Sequence, residues 1–145
     1  MKALVVYDTQ WGNTEKVAQA IARGLGAKAV RVGEAAAGSL AGIELLVLGS
    51  PVRGGRATDA MQRFINGMAA ETARRLAVAA FDTRMRGSFP KIFGFAAVRM
   101  DKAMAGKGSA RKRPPEGFLV AGREGPLAEG ELGRAERWGA EMAQG

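Results

Sequence analysis

Neither cysteine nor histidine occurs anywhere in the 145 residues. Without cysteine there is no disulfide, no thiolate nucleophile and no zinc–thiolate site. Without histidine the usual imidazole base and the commonest transition-metal ligand are gone as well. What remains is carboxylate, lysine or serine chemistry, or a bound cofactor that carries the reaction. Long apolar runs are missing too, since none approaches the ~18 residues of a membrane-spanning helix. The N-terminal Met1–Tyr7 segment lacks the small-residue cleavage site of a signal peptide and reads as the first core strand of a cytoplasmic protein. The length predicts one domain over residues 1–145.

Acidic residues are the minority, and the net charge is +8. The excess is concentrated between Arg84 and Arg113, where nine basic residues, including Lys91, Lys102 and Lys107, accompany a single acid, Asp101. The arrangement predicts a basic surface suited to an acidic protein partner rather than to nucleic acid.

What is present is a strict alternation of apolar runs and helical periods, the mark of a parallel sheet built from crossover units. Strands are expected at Ala3–Tyr7, Ala27–Val32, Ile43–Leu48, Leu76–Phe81 and Phe118–Ala121. Between the first two, Val17, Ile21 and Leu25 recur every fourth residue in a helix expected to close at Gly24 and Gly26. Further helical faces are Met61, Phe64, Ile65 and Met68, then Ile92, Phe93, Ala96, Ala97, Met100 and Met104. A final helix starts near Ala128 and carries Leu132, Ala135, Trp138 and Met142. Its glycines Gly130, Gly133 and Gly139 each weaken it by about 1 kcal/mol relative to alanine, so it must rely on packing. Gly106–Pro115 reads as a basic loop.

The first strand runs into Thr9-Gln10-Trp11-Gly12-Asn13-Thr14, a hydroxyl-rich turn that opens directly onto a helix. The first N–H groups of a helix have no internal partners, and the helix dipole adds positive potential there. With Thr9, Asn13 and Thr14 as neutral donors and Gly12 allowing close approach, the turn suits one phosphate. The dinucleotide fingerprint is absent because only Gly12 is present, and no Walker loop exists because Gly108 follows Lys107. A receiver-domain phosphoacceptor fails as well, since the third strand ends in Gly49-Ser50 rather than Asp.

Thr-x-x-Gly-Asn-Thr-Glu at residues 9–15 resembles the FMN phosphate loop of flavodoxins. Gly49–Gly55, with Ser50, Pro51, Val52, Arg53 and Gly54, resembles the loop over one face of the flavin ring. Phe81–Met85, with Asp82, Thr83, Arg84 and Met85, resembles the loop along its pyrimidine edge. Gly117–Leu127 is similar to the last strand and the turn into the final helix.

The resemblance covers the whole chain. It implies a flavodoxin-like α/β fold, a doubly wound five-stranded parallel sheet of order 2-1-3-4-5, with FMN at its switch point. It also implies an electron carrier working between a reductase and an acceptor protein. Two alternatives are a flavodoxin-fold quinone or protoporphyrinogen oxidoreductase, and a non-redox binding module for an acidic partner. The ring loops depart from the family in offering no aromatic before Phe89. Trp11 is either a wall beside the ligand or a surface residue.

Overall fold

The computed structural model describes residues 1–87 and 95–145. Residues 88–94, and with them Phe89, Lys91, Ile92 and Phe93, lie outside the described residues. Strand β1 (Ala3–Tyr7) leads to helix α1 (Asn13–Leu25), β2 (Lys28–Arg31), two 3-10 turns, β3 (Leu45–Pro51), α2 (Asp59–Asn66) and a short α3 (Ala70–Arg74). Then come β4 (Ala77–Met85), α4 (Ala96–Gly106), β5 (Ala110–Arg111), β6 (Glu116–Val120) and α5 (Glu131–Gln144). The sheet is parallel with order β2-β1-β3-β4-β5, and β6 also pairs with β4. Val5, Val6, Leu45–Leu48 and Val78–Phe81 are buried because helices cover both faces of the sheet. Among the described residues no helix is long and apolar enough to cross a membrane.

The order matches the expected one, but the sheet has six strands rather than five. The fifth position is divided: Ala110–Arg111 pairs with Ala77–Val78, and Glu116–Val120 pairs with Phe81–Met85. Between them stand Pro114 and Pro115, which lack the N–H that a continuous ladder needs. The segment expected to be only a basic loop therefore contributes a strand.

Strands β3 and β4 run past their expected ends, to Pro51 and Met85. Pairing with its neighbours keeps the polar Asp82-Thr83-Arg84 stretch in the ladder. The second strand is shorter than Ala27–Val32, because Val32 begins a 3-10 turn. Helix α1 closes at Gly26 alone. Gly24 lies inside it, where an added Cβ would meet the Glu136 carbonyl of α5 at 2.0 Å. Likewise an added Cβ on Gly139 would meet the Ile21 carbonyl at 2.2 Å. The two glycines set how closely α1 and α5 approach. Helix α5 starts at Glu131 rather than near Ala128, since the Ala128 N–H donates to Leu119 and Gly130 takes the N-cap.

Candidate functional site

Every site segment lies at the carboxyl edge of the sheet, where β1, β3, β4 and β6 end. The edge is tied together by backbone bonds from Asp8 N–H to Gly49 (3.0 Å) and from Val52 N–H to Thr83 (3.3 Å). Asp8 adds side-chain ties: Oδ2 accepts from the Thr58 hydroxyl (2.6 Å) and Oδ1 from the Thr9 N–H (2.9 Å). Thr58 in turn caps α2 by accepting from the Met61 N–H (3.3 Å). The first loop is thus anchored to α2 as well as to the sheet.

A cavity of about 400 Å³ opens on this edge, within the size range of small-molecule sites. It is lined by Thr9, Gln10, Trp11, Asn13 and Thr14 from the first loop, by Pro51, Val52, Arg53 and Gly54, and by Thr83, Arg84 and Met85. Twelve of the fifteen residues expected at the site therefore converge on one space.

The first-loop end is built for an anion. Gly12 is the N-cap of α1 at φ 94°, a conformation that disfavours a side chain, and no side chain caps the helix. Its own N–H donates to the Thr9 hydroxyl oxygen (3.0 Å), leaving the Thr9 proton available. Thr14 and Thr83 share a 2.8 Å hydroxyl–hydroxyl bond, so one of the two protons remains for a ligand. Asn13 is buried beside Gly125, where a Cβ would come within 2.7 Å of the Asn13 amide oxygen. The last loop thereby presses against the first. Uncapped helical N–H groups and neutral hydroxyls suit a phosphate.

The adjoining walls are formed by a tight hairpin and the end of β4. Arg53 and Arg56 exchange backbone bonds of 2.7 and 3.0 Å around Gly54 and Gly55. Those glycines sit at φ 58° and 80°, as a type I′ turn requires. Arg53 Nη1 donates to Gln10 Oε1 (3.0 Å) and bridges the two loops.

Arg84 is locked in place. It donates to both oxygens of Asp82 (2.7 and 2.9 Å), and its guanidinium lies 3.7 Å from the Phe95 ring centroid. Gly117 makes room for it, because a Cβ there would come within 2.3 Å of the Arg84 Cζ.

Three expected residues do not reach the cavity. Asp82 is fully buried behind Arg84, where it also accepts from the Ala97 N–H (2.9 Å) at the start of α4. Burial raises its pKa, against the opposing pull of Arg84 and the Ala97 N–H. Ser50 is buried as well, with its hydroxyl donating to the Pro51 carbonyl and accepting from the Thr58 N–H. Gly12 shapes the loop through its φ of 94° and its N–H bond to Thr9. All three position the site rather than line it.

Two lining residues were missed, Val120 and Arg123. Val120 ends β6 and Arg123 follows it, in a segment that the family resemblance matched as a strand and turn without assigning it a wall. Trp11 is the sole aromatic among the described lining residues and is 49% exposed.

A model of the flavodoxin domain matches residues 4–137. No curated protein sequence matches the chain. Among solved structures the fold is similar to an archaeal flavodoxin, at 20% identity and a TM-score of 0.80 over 99% of this chain and 97% of that one. It is also similar to flavodoxin 1 from Bacillus cereus, at 18% identity and a TM-score of 0.79 over 99% and 98%. Two-electron reduced Megasphaera elsdenii flavodoxin aligns at 19% identity and a TM-score of 0.75 over 99% of both chains. With the matching model spanning nearly the whole chain, and a neutral anion cradle at the edge where that family holds its cofactor, the protein belongs to the flavodoxin domain family, whose cofactor is FMN.

Proposed function

We propose that the protein is an electron carrier that passes electrons between a reductase and an acidic acceptor protein, with no acid–base catalytic residue of its own. The observation that carries this reading is the uncapped start of α1, opening with Thr9, Asn13 and Thr14 into the 400 Å³ cavity. These groups hold the FMN phosphate. The 51–54 turn and the Thr83–Met85 strand end flank the ring, and Trp11 stands beside them as a wall. FMN, when bound, supplies the one- and two-electron chemistry. The chain's residues orient the cofactor, exclude water from its buried side and set the potential around it.

A second reading is a flavodoxin-fold oxidoreductase of the quinone or protoporphyrinogen type. It is favoured by the half-exposed Trp11 and by the lack of any other aromatic among the described residues that line the cavity, since an uncovered ring admits a small substrate. Titration with FMN, riboflavin, ATP and NAD, followed by flavin fluorescence and calorimetry, tests cofactor choice. Tight FMN binding with negligible ATP or NAD binding is expected. Tight ATP binding without flavin binding overturns both readings. Reoxidation of the reduced protein by a quinone, with no response to redox proteins, selects the second.

A further inference from the structure

The mouth of the cavity carries a charge pattern that the order of the sequence conceals. Among the described lining residues three are arginines, Arg53, Arg84 and Arg123, and none is acidic. Arg84 is paired with Asp82. Arg53 bonds the neutral Gln10, and among the described residues Arg123 is in no ion pair. Arg86, next along from Met85, is exposed. The acids closest in sequence are largely committed elsewhere: Asp8 to Thr58, Glu15 to Tyr7 and Asp82 to Arg84. Asp59 and Glu124 remain exposed.

The same lining carries Trp11 and Met85, 49% and 48% exposed. They are two of the four large hydrophobic side chains exposed among the described residues. Exposed Trp and Met beside Arg is the composition of protein–protein hot spots. Nucleic acid would call for a track of cations along its backbone. Lys112 and Arg113 do not extend the rim into one, because they follow Arg111, which pairs with the start of β4 at Val78.

We infer that Trp11, Arg53, Met85, Arg86 and Arg123 form the docking surface for a redox protein with an acidic face. The inference rests on the electron-carrier reading and adds the contact residues. Arginines provide steering and register, while Trp11 and Met85 provide the dry contact at the centre.

The test is calorimetric titration of the FMN-saturated protein with two haem proteins, the acidic cytochrome b5 and the basic cytochrome c, and with a single-stranded oligonucleotide. Binding to cytochrome b5 is expected, weakening as salt is raised. The Arg86→Gln/Arg123→Gln pair lowers that affinity about tenfold at low salt. Met85→Ser lowers it with the salt slope unchanged, whereas Lys112→Gln/Arg113→Gln has little effect. Tighter binding of cytochrome c overturns the proposal, as does equal behaviour of the rim and distal pairs. Preferential oligonucleotide binding that is lost in the rim pair assigns the surface to nucleic acid instead and also overturns it. Flavin loading is read from the visible spectrum of the same samples. A colourless protein that still binds cytochrome b5 through the rim retains the docking surface and loses the carrier role. A loaded protein that ignores cytochrome b5 loses the docking surface alone.

Discussion

Thr9 and Thr14 carry different loads at the phosphate end. Thr9 accepts from Gly12 and keeps its proton for a ligand, whereas Thr14 shares its bond with Thr83. Replacing both with alanine removes two donors to a charged acceptor, each worth about 1.5–3 kcal/mol. FMN affinity should fall on the order of a hundredfold or more, with riboflavin affinity nearly unchanged, in parallel fluorescence titrations. Equal losses for both flavins would remove the phosphate from this loop. Arg84 is a different case, because its partner Asp82 is fully buried. Arg84→Met leaves that carboxylate without its cation and should cost about 3 kcal/mol in urea denaturation. Arg86→Gln, on the exposed neighbour, should stay within about 0.5 kcal/mol.

Among the elements, α5 offers the sharpest contrast between local propensity and packing. Gly139 abuts the Ile21 backbone, while a Cβ on Gly133 meets only the end of the Arg137 side chain at 3.4 Å. Gly133→Ala should therefore raise stability by up to about 1 kcal/mol. Gly139→Ala should lower it by about 1–3 kcal/mol, because the gain in propensity is outweighed by displacing α1. A thermal melt of both variants reads the opposite signs.

The same helix is fastened to β6 by Glu131, which accepts from the Leu119 N–H (2.7 Å) and from Arg134. Arg134 also bonds Glu116 and the Gly117 carbonyl and stacks over Phe118. Arg134 first, with the Leu119 N–H adding to it, holds the Glu131 carboxyl below its ordinary 4.5 despite burial. A lowered folded-state pKa contributes stability above 4.5 that is lost as pH falls through the folded value. Denaturation across the acid range should show the stability gap between the parent and Glu131→Gln closing as pH falls. A gap independent of pH would sink the linkage.

For the whole molecule, the fold sorts the basic residues by distance from the cofactor site. The basic run between Arg84 and Arg113, expected from the sequence to give one basic surface, is spread along β4. Arg84 and Arg86 stand at the carboxyl end of β4, but Arg111 pairs with Val78 seven residues earlier. At ~3.3 Å per residue that is ~23 Å, well beyond the ~8 Å Debye length. Arg111 is moreover paired with Asp101, and Lys107 donates to the Asn66 and Met68 carbonyls. Conversely, Arg53 and Arg123 come to the rim from outside that run.

One cation ~8 Å from the ring, at an effective dielectric near 40, favours an anionic reduced flavin by about 1 kcal/mol, roughly 40 mV for one electron. Arg123→Gln should lower the second one-electron potential by up to that amount at low salt. Lys112→Gln/Arg113→Gln should leave it unchanged. Spectroelectrochemical titration at two ionic strengths separates the two outcomes.

The alternation of strands and helices and the first loop were legible because their causes are local or periodic, whereas the sheet order came with the flavodoxin resemblance. Ala3–Tyr7 is apolar throughout because both faces are covered, and the Thr9–Thr14 turn precedes an amphipathic period. The divided edge strand was signalled by Pro114-Pro115 but needed β4 as a template to become visible. Asp82 and Ser50 matched the family pattern by position along the chain, yet only the tertiary structure decided that they face inward while their neighbours Arg84 and Pro51 face the cavity. Arg123 and Val120 had no local signal, since a wall residue is defined by what lies opposite it. Residue type and period by themselves determined the alternation of strands and helices and the phosphate turn. Which side chains share the cavity, and which cations line it, followed from contacts between segments as far apart as Thr9 and Arg123, because such proximity is a property of the packed chain and not of any stretch of it.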